Sequence, residues 1–144
     1  MDGVLLAFTV LLVAGSAGAC GYYYKARSVA DVKKDVDELF QLSPDPMLVV
    51  NTRGIIERAN LAAHQMLGYH TEELDGQPVS CLVPEGARMH HDSLVGLFFS
   101  SAGQQKMRNR IRVCHAGGHS LSAEIHLSLI QLHGRELALA AIRD

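Results

Sequence analysis

The stretch Met47-Leu-Val-Val-Asn-Thr-Arg-Gly-Ile-Ile-Glu-Arg-Ala-Asn-Leu-Ala-Ala-His-Gln-Met-Leu-Gly68 sets the architecture of this 144-residue chain. Met47–Asn51 is short and rich in β-branched and aliphatic residues, Thr52-Arg53-Gly54 is a turn, and Ile55–Ala59 returns as a second strand. Asn60 then stands before Leu61–Leu67, where its side-chain oxygen can accept from the free N–H groups of a helix start. Gly68 closes that helix, because glycine enters the left-handed region without a Cβ penalty. Strand, turn, strand, cap, helix and stop are thus written into 22 residues.

Downstream, Thr71-Glu72-Glu73-Leu74 predicts a further short turn of helix ended by Asp75-Gly76, with acids where the helix dipole favours them. Glu85 to Ser101 predicts a longer helix, with Leu94, Val95, Leu97, Phe98 and Phe99 as its apolar face. The period then changes from helical to two. Met107, Asn109, Ile111 and Val113 alternate with Arg108, Arg110 and Arg112. Leu121, Ala123, Ile125, Leu127 and Leu129 alternate with Ser122, Glu124, His126 and Ser128, which leaves His126 on a solvated face. Gly117-Gly118 supplies the hairpin turn between these strands, and His133-Gly134 turns into a last strand, Glu136 to Ile142. Two strands, then helices, then three strands give an α+β domain: an antiparallel sheet with helices on one face.

Upstream the solvent changes. Gly3 to Tyr24 is 22 residues without a charge, long enough as a helix to cross a hydrocarbon core of ~30 Å. Tyr22, Tyr23 and Tyr24 suit the headgroup layer, and Lys25, Arg27, Lys33 and Lys34 follow against Asp2 on the other side. The positive-inside rule predicts a single-pass inner-membrane anchor with the N-terminus outside and the domain in the cytoplasm. A cleaved or lipidated leader is the rival: Ala17-Gly18-Ala19-Cys20 faintly matches a lipoprotein site, yet Met-Asp-Gly is no basic n-region. Residues 25–41 form a connector in which Val29, Val32, Val36 and Leu39 recur at helical spacing. That seam either pairs with its copy in a homodimer, through residues 29–39, or packs on its own domain; two heptads do not decide. Ser43-Pro44 and Pro46 stop the helix. The expected division is anchor 1–24, juxtamembrane helix 25–41 and domain 42–144.

Net charge is −2, so a phosphate-tracking surface has little to work with and no nucleic-acid partner is expected. Cys20, Cys81 and Cys114 are an odd number without a C-x-x-C pair, which suits a reducing compartment. No nucleophile with a base, paired carboxylates or phosphate-cradling glycine loop occurs, so catalysis is not expected. No metal site is expected either. His115-x-x-x-His119 straddles a Gly-Gly turn without a third ligand at spacing, and adjacent His90 and His91 point apart on a helix.

Phe40-Gln-Leu-Ser-Pro-Asp-Pro-Met-Leu-Val-Val-Asn, Gly54-Ile-Ile-Glu-Arg-Ala-Asn, Leu67-Gly-Tyr, Thr71-Glu-Glu-Leu-Asp-Gly and the terminal Ala-Ile-Arg-Asp, in this order over residues 40 to 144, resemble a PAS domain. The resemblance implies a five-stranded antiparallel sheet whose concave face, with the long helix, encloses a small pocket. Such domains usually detect a ligand, redox state or partner and relay it to a kinase, cyclase or chemoreceptor module, often within two-component signalling. Phe98, Ile111, Ile125 and Leu127 are the expected pocket lining for a small-molecule ligand. A cavity of about 300 Å³ or more would favour ligand sensing, and a filled core would favour a protein–protein interaction module.

Arg88-Met-His-His-Asp-Ser-Leu-Val resembles the segment of FixL-type haem-PAS oxygen sensors, which implies His91 as a candidate iron ligand. Many PAS domains without haem carry a similar run. By alternation Arg108, Arg110 and Arg112 point away from the pocket, leaving Asn109 as the inward polar candidate on that strand, so the arginine that oxygen sensors place over the gas is missing. Light-sensing flavin domains carry Asn-Cys-Arg-Phe-Leu-Gln after the helix-ending glycine. Here Gly76 is followed by Gln-Pro-Val-Ser-Cys81, which does not match.

Overall fold

The computed structural model describes residues 31–101 and 108–144; the side chains of Arg108 and Asn109, the segment 3–24, and Cys20, Val29 and Met107 lie outside the described residues. Among the described residues no helix is long and apolar enough to cross a membrane. Residues 31–42 are helical, and Phe40–Asp144 forms one compact unit. That unit contains strands β1 (Met47–Asn51), β2 (Ile56–Ala59), β3 (Arg108–Cys114), β4 (Ser120–Leu132) and β5 (Arg135–Arg143), with helices α1 (Leu61–Leu67) and α2 (Arg88–Ser100) between β2 and β3.

The five strands form one sheet in the order β2-β1-β5-β4-β3, and every neighbouring pair is antiparallel. β5 therefore lies at the centre, between β1 and β4. Alternation along the strands sends Leu48, Val50, Ala123, Val113, Ala138, Ala140 and Ile142 to the face that carries the helices, where all are buried. They pack with Ala63 and Leu67 of α1, Leu74, Leu82 and Phe98 into the core. The β4–β5 hairpin closes through His133 and Gly134, both at positive φ (52° and 74°). That backbone matches the twist of its strands.

Asn60 is fully buried and satisfies both halves of its amide. Its Oδ1 accepts from Ala63 N at 3.0 Å, as the cap of α1, and from Met47 N at 2.8 Å. Its Nδ2 donates to Asp45 O at 2.8 Å and to Phe40 O at 3.2 Å. One side chain thus joins the last turn of the helical run 31–42, the entry to β1 and the start of α1. At the same end, Ile142 N donates to Pro46 O at 2.8 Å, and Arg143 lies 3.4 Å from Asp45.

Three expectations need correction. Thr71–Leu74 is a set of turns and bends, not a helix: Glu72 sits at φ 71°, which ends any right-handed helix, and Glu73 Oε2 accepts from His70 N at 2.7 Å. The helix expected from Glu85 begins as a 3-10 turn, Glu85–Ala87, and becomes α-helical at Arg88. Leu97 is 62% exposed and stands off the apolar face assigned to it. The seam residues Val32, Val36 and Leu39 are exposed as well, at 58%, 58% and 73%.

Candidate functional site

The site is built by a mismatch of side-chain sizes. On the helix-facing side of the sheet, central strand β5 presents Ala138 and Ala140 opposite Val50 and Leu48 of β1, and opposite Leu129 and Leu127 of β4. Two small residues at the middle of the sheet leave a hollow. α2 spans it with Leu94, Val95, Phe98 and Phe99, and the loop before α2 closes one side with Val79, Leu82 and Val83. The result is an apolar cavity of about 140 Å³.

Local contacts hold the roof in place. Val79 N donates to Gly54 O at 2.8 Å and Ile56 N to Gln77 O at 2.9 Å, so residues 77–79 adhere to the β1–β2 hairpin. Arg88 Nε donates to Val83 O at 3.2 Å and ties the start of α2 to the loop before it. Phe98 and Phe99 meet edge to face with ring centroids 5.4 Å apart, a favoured aromatic geometry.

Of the residues expected to line the pocket, Phe98, Ile111, Ile125 and Leu127 all do, and His91 joins them. Asn109 pairs with Ile125 through the backbone, and its side chain lies outside the described residues. Arg110 and Arg112 are exposed. Sequence reasoning missed Ala138 and Ala140, although the signal was present: in Glu136-Leu-Ala-Leu-Ala-Ala-Ile142 the small residues fall on one parity of a central strand.

Among the described residues, His91 is the one polar side chain in the wall. Its Nδ1 is buried and finds no hydrogen-bond partner among the described residues. Burial pushes its pKa below the ordinary histidine value; neighbouring Asp92 opposes that shift and His90 adds to it. The ring is therefore neutral near pH 7. Among the described residues no lysine, arginine or carboxylate lines the cavity, so a charged ligand would meet no counter-charge from them.

A neutral imidazole suits haem iron, but the space does not. A cavity of about 140 Å³ is of the size that admits benzene, and a porphyrin is several times larger. The residues present do not fit haem.

The other histidines are occupied otherwise. His115 Nδ1 accepts from Gly117 N at 2.9 Å, and its ring stacks on His119 with centroids 4.1 Å apart. It also lies against Gly68, where a Cβ would run into the imidazole. Among the described residues no three His, Cys, Asp or Glu side chains converge as a metal cluster would require. His126 is not solvated as expected: it is half-buried, with Nε2 sealed from solvent and 3.5 Å from Glu124. The cross-strand neighbours Arg108 and Ala141 flank it in the sheet. Cys81 is half-buried outside the cavity wall, and burial raises its thiol pKa.

Residues 44–144 match the family model described as PAS domain. The sensor protein FixL of Bradyrhizobium diazoefficiens is 38% identical over 55 residues, which is 38% of this chain and 11% of that protein. The PAS domain of a Colwellia psychrerythraea protein superimposes with a TM-score of 0.65 at 27% identity, covering 78% of this chain and 96% of that one. A PAS domain from Desulfitobacterium hafniense gives 0.67 at 22% identity, covering 74% and 98%. The chain spans about a tenth or less of the length of the curated relatives it matches.

Proposed function

This chain belongs to the PAS domain family, and on that premise we propose that it is the signal-sensing module of a sensor-kinase, cyclase or chemoreceptor type of protein. Its cavity takes a small, uncharged ligand and the flanking helix 31–42 passes the change on. One observation carries this reading: a hollow of about 140 Å³ with apolar walls, left open by Ala138 and Ala140 at the centre of the sheet. It falls short of the 300 Å³ of typical ligand pockets, which limits the ligand to about the size of benzene, yet the core is not filled. Occupancy would bear on β5 and, through Asn60 and its bond to Phe40 O, on the helical run. Ligand and empty states can shift only by their difference in affinity.

The test is a titration of the full chain in lipid nanodiscs with benzene, read by methyl NMR. Saturable shifts confined to Leu82, Ile111, Ile125 and Leu127 support the reading; unmoved methyls refute it. In the same proposal residues 3–24 anchor the module in the inner membrane with the domain in the cytoplasm. Reporter fusions at residue 26 that report a periplasmic location would overturn that orientation.

A second reading, a dimerisation module, is favoured by the exposure of Val32, Val36 and Leu39. Together with Val29 they form the pairing seam of a homodimer through residues 29–39. Light scattering that gives the same mass for wild type and for Val36→Asp/Leu39→Asp would exclude it.

A further inference from the structure

We infer that the outer edge of β3 takes an extended segment of a partner protein, added to the sheet as a further strand, in which acidic residues alternate with apolar ones.

The two edges of the sheet differ. At β2 the chain covers its own edge: Ile56 N donates to Gln77 O at 2.9 Å, Gly76 N to Ile56 O at 2.7 Å, and Ala59 N to Asp75 Oδ1 at 3.1 Å. At the other edge, among the described residues, β3 pairs with β4 alone. The register fixes which of its backbone groups stay open. His115 N donates to His119 O at 2.9 Å, and the pairing then runs without a shift from Cys114 opposite Ser120 to Arg108 opposite His126. Hydrogen-bonded and non-hydrogen-bonded pairs alternate along such a ladder. Val113 and Ile111 therefore bond to β4, while Cys114, Arg112 and Arg110 turn their N–H and C=O groups outward.

The same residues carry the charge. Ile111 and Val113 face the cavity, so alternation places Arg110 and Arg112 on the opposite face, where both are exposed. Neither makes an ion pair with a described residue. Glu124, across from Arg110, lies 3.5 Å from His126 Nε2. A strand laid along this edge would project the residues directly opposite Arg110 and Arg112 to that same face. There a carboxylate meets each guanidinium, whose planar fork suits it, and opposite charges across a pair of strands stabilise the sheet. The residues in between project to the other face, beside half-buried Ile111, where an apolar side chain extends the core. A second copy of β3 fits poorly, because it sets arginine against arginine.

The test adds capped peptides of repeating Val-Glu or Val-Lys to the full chain in nanodiscs of uncharged lipid, read by NMR at the β3 amides. With the Val-Glu peptide, the N–H groups of Arg110, Arg112 and Cys114 are expected to shift downfield and exchange more slowly. Those of Ile111 and Val113, already bonded within the sheet, keep their exchange rates. In Arg110→Glu/Arg112→Glu, half-saturation should need at least about tenfold more Val-Glu peptide, since two attractive pairs become repulsive, and the Val-Lys peptide should bind in its place.

Equal binding of the two peptides by wild type, or an unchanged affinity in the variant, overturns the acidic partner. A Val-Glu peptide that shifts the arginine side chains and leaves the exchange of all β3 amides unchanged shows attraction without strand addition, and overturns the edge as the site. If neither peptide moves β3, the arginines guard the edge against pairing and the inference fails. Anionic lipid that reproduces the arginine shifts without peptide assigns the row to the membrane surface and overturns it as well.

Discussion

Replacing Asn60 by alanine should remove a large part of the domain's stability. The side chain is fully buried and makes four hydrogen bonds to the backbone, at 2.8, 2.8, 3.0 and 3.2 Å. Loss of the bond to Ala63 N uncaps α1, which costs about 1 kcal/mol. The other three leave Met47 N, Asp45 O and Phe40 O without their partner at part-buried positions, at about 1 kcal/mol each. The total is about 4 kcal/mol, against a stability of roughly 5–15 kcal/mol for a domain. Asn60→Asp separates the two halves of the amide. It keeps both acceptor bonds but turns a carboxylate oxygen toward two carbonyls, so it should cost about 2–3 kcal/mol, mostly from the two lost donor bonds. Urea unfolding followed by circular dichroism measures both variants, and hydrogen exchange at Met47 and Ala63 reports which bonds opened. An Asn60→Ala loss below about 1 kcal/mol with an unchanged m-value would refute the idea that this amide is the junction of three segments.

Three further outcomes are expected. Gly68→Ala should cost about 1–3 kcal/mol, because Gly68 sits at φ 75° with the His115 ring where a Cβ would go. Adding His115→Ala should recover the steric part and leave the backbone part, as a double-mutant cycle would show. Ala140→Val fills the cavity from its floor; benzene should no longer shift the Ile125 and Leu127 methyls, while stability in urea is held or raised by up to about 1 kcal/mol. His91 has a folded pKa lowered mainly by burial, so below its ordinary value of about 6.5 the unfolded chain takes the proton first. Its contribution is therefore intact above that pH and is lost as pH falls toward the folded value. Wild type should lose stability relative to His91→Leu as pH drops through this window, and parallel curves would contradict it.

Much of the fold was legible because its turns and caps are chemically unambiguous. Met47–Asn51 and Leu61–Leu67 carry the same limits in sequence and structure, since Asn60 and Gly68 leave the chain few alternatives. The period-two runs of β3 and β4 likewise placed Ile111, Ile125 and Leu127 on the cavity side. The segment Thr71–Leu74 misled because its composition favours a helix start, whereas tertiary context holds Glu72 at positive φ. Leu97 misled because hydrophobicity alone does not tell which side of α2 meets the sheet. The hollow depends on which strand lies at the centre. Only once β5 is seen between β1 and β4 do Ala138 and Ala140 become the floor of a cavity.

β1 and β5 also decide how this unit fits into a longer polypeptide. Pro46 and Ile142 share a hydrogen bond, and Met47 and Ala141 are cross-strand partners, so the incoming and outgoing backbones lie about 5 Å apart. A fold whose two doors open side by side can be spliced between neighbours without lengthening the path between them. In such a polypeptide the segments on either side would join the unit at adjacent points of its sheet. Tension applied across the two flanks would peel the β1–β5 seam from its end, one bond after another, instead of shearing it all at once.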